Sequence, residues 1–269
     1  MSNIKLVASD IDGTLLFGWS PDGIDPQVFE QIRRLRRRGI RFLASSGRQY
    51  ANLRRLFAPV VDDILYLCEN GSLVIADGDV VVKRVMEHDL AMELSHEILA
   101  TPGCDLLISC EKIHYVMAGE DEFADHVRNV IGSDVAFIGS PEEVPEDIIK
   151  VSYRSTEETM RRVWGSFEER FGDRLHVTVS GMTWLDVMPL GADKGTAMRA
   201  LGEYLGIDPA DMMAFGDNLN DTEMLQLVGH PYLMASGNEA LTGLNPRIRR
   251  CERVNDVLAE LLATSTACR

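Results

Sequence analysis

Ile4-Lys5-Leu6-Val7-Ala8-Ser9-Asp10-Ile11-Asp12-Gly13-Thr14-Leu15 is the stretch on which the reading of this chain turns. A short, almost continuous apolar run reads as a buried strand. Gly13, directly after the second carboxylate, lets the backbone turn sharply. Asp10 and Asp12 therefore fall in the loop at the C-terminal end of the strand, where open α/β sheets bind their ligands. Two carboxylates this close repel unless a cation lies between them or one keeps its proton. The segment points to a bound divalent cation, a split acid–base pair, or both.

The pattern continues outward in the same rhythm. Asp25-Pro26 reads as an N-cap followed by a proline at N1. The helix it opens runs to about Arg38 and is closed by Gly39. Ile40 to Ala44 is a second strand, ending in Ser45-Ser46-Gly47-Arg48. A further helix reaches about Phe57, and Ile64 to Cys68 is a third strand, ending in Glu69-Asn70-Gly71. Strands alternating with helices imply a doubly wound, mainly parallel sheet. Asp77-Gly78, between two β-branched stretches, signals a hairpin.

From about Glu87 to Met182 the order changes to helix, two strands (Asp105–Cys110, Ile113–Met117) and helix. Two more strands follow, Ile148–Tyr153 and Leu175–Val179, separated by a helix. This is the pattern of an α+β module with an antiparallel sheet. The first rhythm resumes after Leu185-Asp186-Val187-Met188. It gives a helix over Lys194–Leu205 ended by Gly206, a strand over Met212–Phe215 followed by Gly216-Asp217, and a C-terminal helix near Val254–Leu262. The expected fold is α/β: a doubly wound core over 1–84 and 186–269, interrupted by an inserted α+β domain over 85–185.

Composition narrows the function. The 269 residues are 45% hydrophobic and 26% charged, enough for a sizeable core and against global disorder. A net charge of −15 argues against a nucleic-acid binder, which needs a basic surface. The five cysteines, Cys68, Cys104, Cys110, Cys251 and Cys268, form no C-x-x-C pair, so neither a zinc site nor a disulfide framework is indicated. No apolar stretch approaches the ~18 residues of a membrane span. The opening residues do not read as a signal peptide. The expectation is a soluble, cytoplasmic protein with no membrane, nucleic-acid or obligate protein partner.

In a doubly wound sheet the strand ends lie along one edge. Asp10, Asp12, Ser46, Lys194, Asp217, Asn220 and Asp221 would then converge on one crevice. Carboxylates suit Mg²⁺, a hard cation that takes oxygen ligands and completes its shell with phosphate oxygens. Histidine and cysteine are absent from the set, which argues against zinc. A lysine, a hydroxyl and a helix N-terminus suit a phosphate group. The chemistry that fits is Mg²⁺-assisted phosphoryl transfer.

The motifs Asp10-Ile11-Asp12-Gly13-Thr14, Ser46-Gly47-Arg48, Asn70-Gly71, Lys194-Gly195 and Gly216-Asp217-Asn218-Leu219-Asn220-Asp221 occur in one order over nearly the whole chain. In this the sequence resembles the haloacid dehalogenase (HAD) superfamily phosphatases, of the Cof type with a large inserted α+β cap. The resemblance implies that Asp10 is the nucleophile, forming an aspartyl-phosphate, and that Asp12 is the general acid and then the base. It implies Mg²⁺ held by Asp10, Asp217 and the backbone carbonyl of Asp12, with Asp221 supporting the metal or its water. It implies phosphate held by Ser46, Gly47, Lys194 and Asn220, and a small phosphorylated metabolite, foremost a sugar phosphate, as substrate. Ser46 stands where threonine is common, which keeps the hydroxyl.

An EF-hand fails, because Thr14 stands where a further ligand is needed. The Arg33–Arg38 run reads as a solvated face near a helix C-terminus, where cations favour the dipole. Met182, Met188, Met212, Met213 and Cys68 read as core. His114, Tyr115, Arg154, Ser180 and Trp184 are candidate contacts to the leaving group. A phosphosugar mutase shares the aspartyl-phosphate step. A non-catalytic phosphate or Mg²⁺ sensor is the alternative from another class.

Overall fold

The computed structural model describes residues 3–16, 23–179 and 183–264. Ser180, Met182 and Cys268 lie outside the described residues. The chain begins with β1 (Leu6–Ser9), α1 (Pro26–Arg37), β2 (Arg41–Ser45), α2 (Tyr50–Leu56), β3 (Leu65–Cys68), β4 (Leu73–Ala76) and β5 (Asp79–Lys83). It continues with α3 (His88–Ala100), β6 (Asp105–Cys110), β7 (His114–Met117), α4 (Asp121–His126), β8 (Val135–Ile138), β9 (Ile148–Arg154), α5 (Glu157–Phe171), β10 (Leu175–Val179) and β11 (Trp184–Pro189). It closes with α6 (Lys194–Leu205), β12 (Met212–Gly216), α7 (Thr222–Leu227), β13 (His230–Met234), β14 (Arg249–Cys251) and α8 (Val254–Thr264). Two compact units result: Met1–Ser46, Leu53–Val82 and Asp193–Arg269 form one, Gly47–Asn52 and Lys83–Ala192 the other. No helix among the described residues is long and apolar enough to cross a membrane.

The first unit carries an eight-stranded sheet in the order β14-β13-β12-β1-β2-β3-β4-β5. β1 lies inside it, parallel to both neighbours, with Leu6 opposite Met212 on one side and Arg41 on the other. All four of its residues are buried, which is why its sequence shows no alternation. One apolar layer, built from Leu6, Leu43, Leu65, Met198, Leu201 and Met212, packs α6 against the sheet. The expected hairpin forms at Asp77-Gly78, whose φ values of 53° and 92° give the two left-handed residues of a type I′ turn. Asp25 caps α1 by accepting from Gln27 N–H at 2.8 Å, and α1 buries Val28, Phe29, Ile32 and Leu35.

The second unit is a six-stranded sheet, β10-β11-β9-β6-β7-β8. It differs from expectation in two ways. β8 is an added strand, and it pairs parallel to β7 across the α4 crossover. Four residues, two of them partly buried and one exposed, leave no periodic signal to announce it. The other difference is the chain's return. The expected boundary at residue 186 falls inside β11, which pairs with β9 and β10, and the division between units lies after Ala192. Alternation explains the strand: Leu185 and Val187 join the apolar layer with α3 and α5, while Asp186 points to the opposite face.

Part of that opposite face is polar and buried. Ser152 Oγ donates to Asp186 Oδ1 at 2.5 Å, and Lys150 Nζ lies 3.4 Å from the same oxygen. Lys150 Nζ also donates to the Gly47 carbonyl at 2.9 Å. His114 is buried beside them; desolvation, with the Lys150 charge added, pushes its pKa down to about 3.

Removing Lys150 leaves Asp186 buried without its cation. Lys150→Met is expected to cost about 3 kcal/mol, and Lys150→Met with Asp186→Leu to recover most of it. Thermal unfolding followed by Trp164 and Trp184 fluorescence measures both. His114 is held neutral in the fold but protonates near pH 6.5 when unfolded, so its contribution is present above pH 6.5 and is lost as pH falls toward 3. Wild type is expected to lose about 2 kcal/mol more than His114→Gln between pH 7.5 and pH 5, read from unfolding midpoints.

Candidate active site

The carboxylates meet because β1 and β12 are neighbours and end together. Asp10 N–H donates to the Phe215 carbonyl at 2.9 Å, which carries the pairing one residue past β1. The chain then folds back on itself, with Leu15 and Leu16 N–H both on the Ile11 carbonyl. Gly13 makes this possible at φ 88°, and a Cβ there would stand 2.3 Å from Asp217 Oδ2. Any other residue would be strained and would strike the acid. Thr14 Oγ1 donates to Asp217 Oδ1 at 3.2 Å.

Lys194 enters from α6, whose N-cap Asp193 accepts from Thr196 N–H at 2.7 Å. The lysine has no solvent exposure. Its Nζ donates to Asp10 Oδ1 at 2.6 Å and to Asp221 Oδ1 at 2.7 Å. Asp221 Oδ2 accepts from Asp217 N–H at 2.9 Å and from Asn218 N–H at 3.2 Å. Both oxygens of Asp221 are thus committed to donors. It anchors the lysine and the loop after β12 rather than offering an open ligand position.

Asp10, Asp217 and Asp221 bring carboxylate oxygens within 4.8 Å of one another. Burial raises Asp10 well above the usual carboxylate range; Lys194 opposes the shift, and the Asp221, Asp217 and Asp12 charges add to it. Burial, with Asp221, pushes Asp217 up to about 6. Burial alone would lower Lys194, but Asp10 and Asp221 more than offset that and hold it charged. Even with Lys194, the cluster holds more negative than positive charge. Its donors are all hard carboxylate oxygens, with no histidine or cysteine among them, a set that suits Mg²⁺ better than zinc.

The other expected residues are placed unequally. Asp12 is exposed beside the cluster, not inside it. Ser46 is buried at the end of β2, with its N–H on the Leu67 carbonyl at 2.9 Å. Asn220 donates from Nδ2 to Asn70 Oδ1 at 3.0 Å. Gly47 groups with the second unit, where its carbonyl meets Lys150. Within that unit His114 is buried on the polar face. Tyr115, the next residue along β7, sits in the apolar layer instead, its hydroxyl on Glu146 Oε1 at 2.9 Å. Arg154 pairs with Asp105 at 2.8 Å, and Trp184 packs on Phe123.

Sequence reasoning gave no role to Thr14, Asn70, Lys150 or Asp186. A charged residue inside an apolar strand, as in Ile148-Ile149-Lys150-Val151, was the signal available for Lys150 and Asp186. Thr14 and Asn70 lay within quoted motifs, but their partners are distant in sequence.

The chain belongs to the haloacid dehalogenase-like hydrolases, whose sequence model matches residues 7–259. It is 28% identical over 254 residues to the HMP-PP phosphatase of Klebsiella pneumoniae (strain 342), covering 91% of this chain and 89% of that protein. It is 25% identical over 239 residues to the 5-amino-6-(5-phospho-D-ribitylamino)uracil phosphatase YbjI of Escherichia coli (strain K12), covering 89% and 88%. Among solved structures, SMU.1108c from Streptococcus mutans UA159 is similar with a TM-score of 0.86 at 25% identity, over 97% of this chain and 99% of that one.

The lysine and the carboxylates should affect stability with opposite signs. Lys194→Met strands buried charge and is expected to destabilise the EDTA-treated protein by about 3 kcal/mol or more. Asp10→Asn relieves repulsion and is expected to stabilise it by about 1 kcal/mol. Thermal unfolding in EDTA checks both signs.

Proposed function

We propose that this protein is a Mg²⁺-dependent phosphatase that hydrolyses small phosphorylated metabolites, sugar phosphates foremost, through an aspartyl-phosphate at Asp10. The observation that carries the reading is the buried Asp10–Lys194–Asp221 arrangement, which fixes one carboxylate oxygen beside an ammonium at the end of the central strand. Membership of a hydrolase family, and relatives that are themselves phosphatases, support it.

In this reading Asp10 Oδ attacks phosphorus. An Asp10–phosphorus bond forms as the bond to the leaving oxygen breaks, and Asp12 delivers a proton to that oxygen. Asp12 then takes a proton from water as the water attacks phosphorus and releases Asp10. Its exposed position at the edge of the cluster suits an acid that must reach a leaving group. Lys194 offsets the repulsion between nucleophile and phosphate. Ser46, Gly47, Lys194 and Asn220 hold the phosphate oxygens. Asp10, Asp217 and the Asp12 carbonyl would hold Mg²⁺, with Asp221 in support through the loop it anchors. When bound, Mg²⁺ supplies positive charge to the phosphate oxygens and brings the ester to the nucleophile. The names of the two relatives support a small phosphorylated metabolite, one of them carrying its phosphate on a ribityl group.

Purified protein incubated with a panel of phosphorylated metabolites and Mg²⁺ is expected to release inorganic phosphate. Release should vanish in EDTA and fall at least about a thousandfold in Asp10→Asn, as for loss of a nucleophile. An isomeric sugar phosphate with no inorganic phosphate would show a mutase. Turnover surviving in Asp10→Asn would sink the aspartyl-phosphate reading.

A further inference from the structure

Glu69-Asn70-Gly71 follows β3 and is buried, with Glu69 and Asn70 each 1% exposed. Its three residues are all left-handed, at φ 49°, 52° and 105°. Glycine tolerates this and asparagine adopts it more readily than most residues, whereas glutamate is strained there. Two successive non-glycine residues at positive φ persist only where their surroundings hold them, and such backbone clusters at functional sites.

What holds this loop is its ties to the other strand ends. Asn70 N–H donates to the Ser46 carbonyl at 3.1 Å. Asn70 Oδ1 accepts from Asn220 Nδ2 at 3.0 Å. Gly71 lies so close to α6 that a Cβ would stand 2.4 Å from the Asp193 carbonyl, one residue before Lys194. One turn of chain therefore touches the loop after β2, the loop after β12 and the N-terminus of α6.

We infer that Asn70 is a positioning residue: its side-chain oxygen sets the Asn220 amide, while its backbone holds Ser46, so the phosphate-holding groups stand at fixed spacing. The inference rests on the phosphatase reading. It has a sharp consequence. If Asn70 only formed the turn, glycine would serve at least as well, since glycine meets φ 52° without strain. The side-chain amide, whose oxygen meets Asn220, is what distinguishes the two residues.

Asn70→Gly, Asn220→Ala, the double variant and Asp10→Asn are assayed with p-nitrophenyl phosphate, with inorganic phosphate as competitive inhibitor. Asn70→Gly is expected to melt at or above wild type. Its kcat/KM should fall about tenfold, mostly through KM and with a matching rise in the Ki of inorganic phosphate. Asn220→Ala should fall similarly, and the double variant no further than Asn220→Ala alone. Three results each overturn the inference: unchanged kcat/KM in Asn70→Gly, losses that multiply in the double variant, or an activity loss that tracks a lowered melting point. Asp10→Asn separates the two levels. If it stays active, the aspartyl-phosphate reading at this site falls and takes the inference with it. If it is dead while Asn70→Gly is fully active, the inference alone falls.

Discussion

The fully buried ammonium of Lys194, shared between Asp10 and Asp221, is the interaction on which the first unit's strand ends depend. Taking a lysine and two carboxylates out of water is costly for each alone. Together the charges offset one another, and the remaining oxygen of Asp221 is met by two backbone N–H groups. The cluster still holds more negative than positive charge. Burial therefore drives Asp10 and Asp217 toward their protonated forms, a state that a divalent cation would reverse. An electrostatically unfinished site of this kind costs stability and suits a cation with an anionic ester.

The backbone around the cluster leaves little slack. Gly13 and Gly216 each stand where a Cβ would collide with an acid, Asp217 in one case and Asp221 in the other. Gly195 packs as tightly on the Glu223 backbone. These contacts hold the strand-end loops in register with the sheet. The acids thereby gain a geometry that solvent-exposed loops could not maintain.

The second unit solves a similar problem on a sheet face rather than at strand ends. α3 and α5 cover one face with an apolar layer, while the other buries Lys150 against Asp186 and Ser152 beside a neutral histidine. Because side chains alternate along each strand, neighbours in sequence such as His114 and Tyr115 face different environments. Two residues that looked equivalent as leaving-group contacts are thus separated by the pleat.

Much of this was legible in the chain. The strand–helix rhythm, the caps at Asp25 and Gly206, the Asp77-Gly78 turn and the collection of Asp10, Lys194, Asp217 and Asp221 all follow from local chemistry and from the rule that parallel strand ends share an edge. Such features depend on residues close in sequence, or on topology that periodicity reveals. Only the tertiary structure decided that Asp221 anchors Lys194 with both oxygens occupied, that Thr14 reaches Asp217, that Asn70 joins Ser46 to Asn220, and that β8 and β11 complete the second sheet. Each of these is a pairing between residues distant in the chain. Their partners are chosen by which backbones come within hydrogen-bonding reach, and that is fixed by packing the whole sheet rather than by any local run of residues.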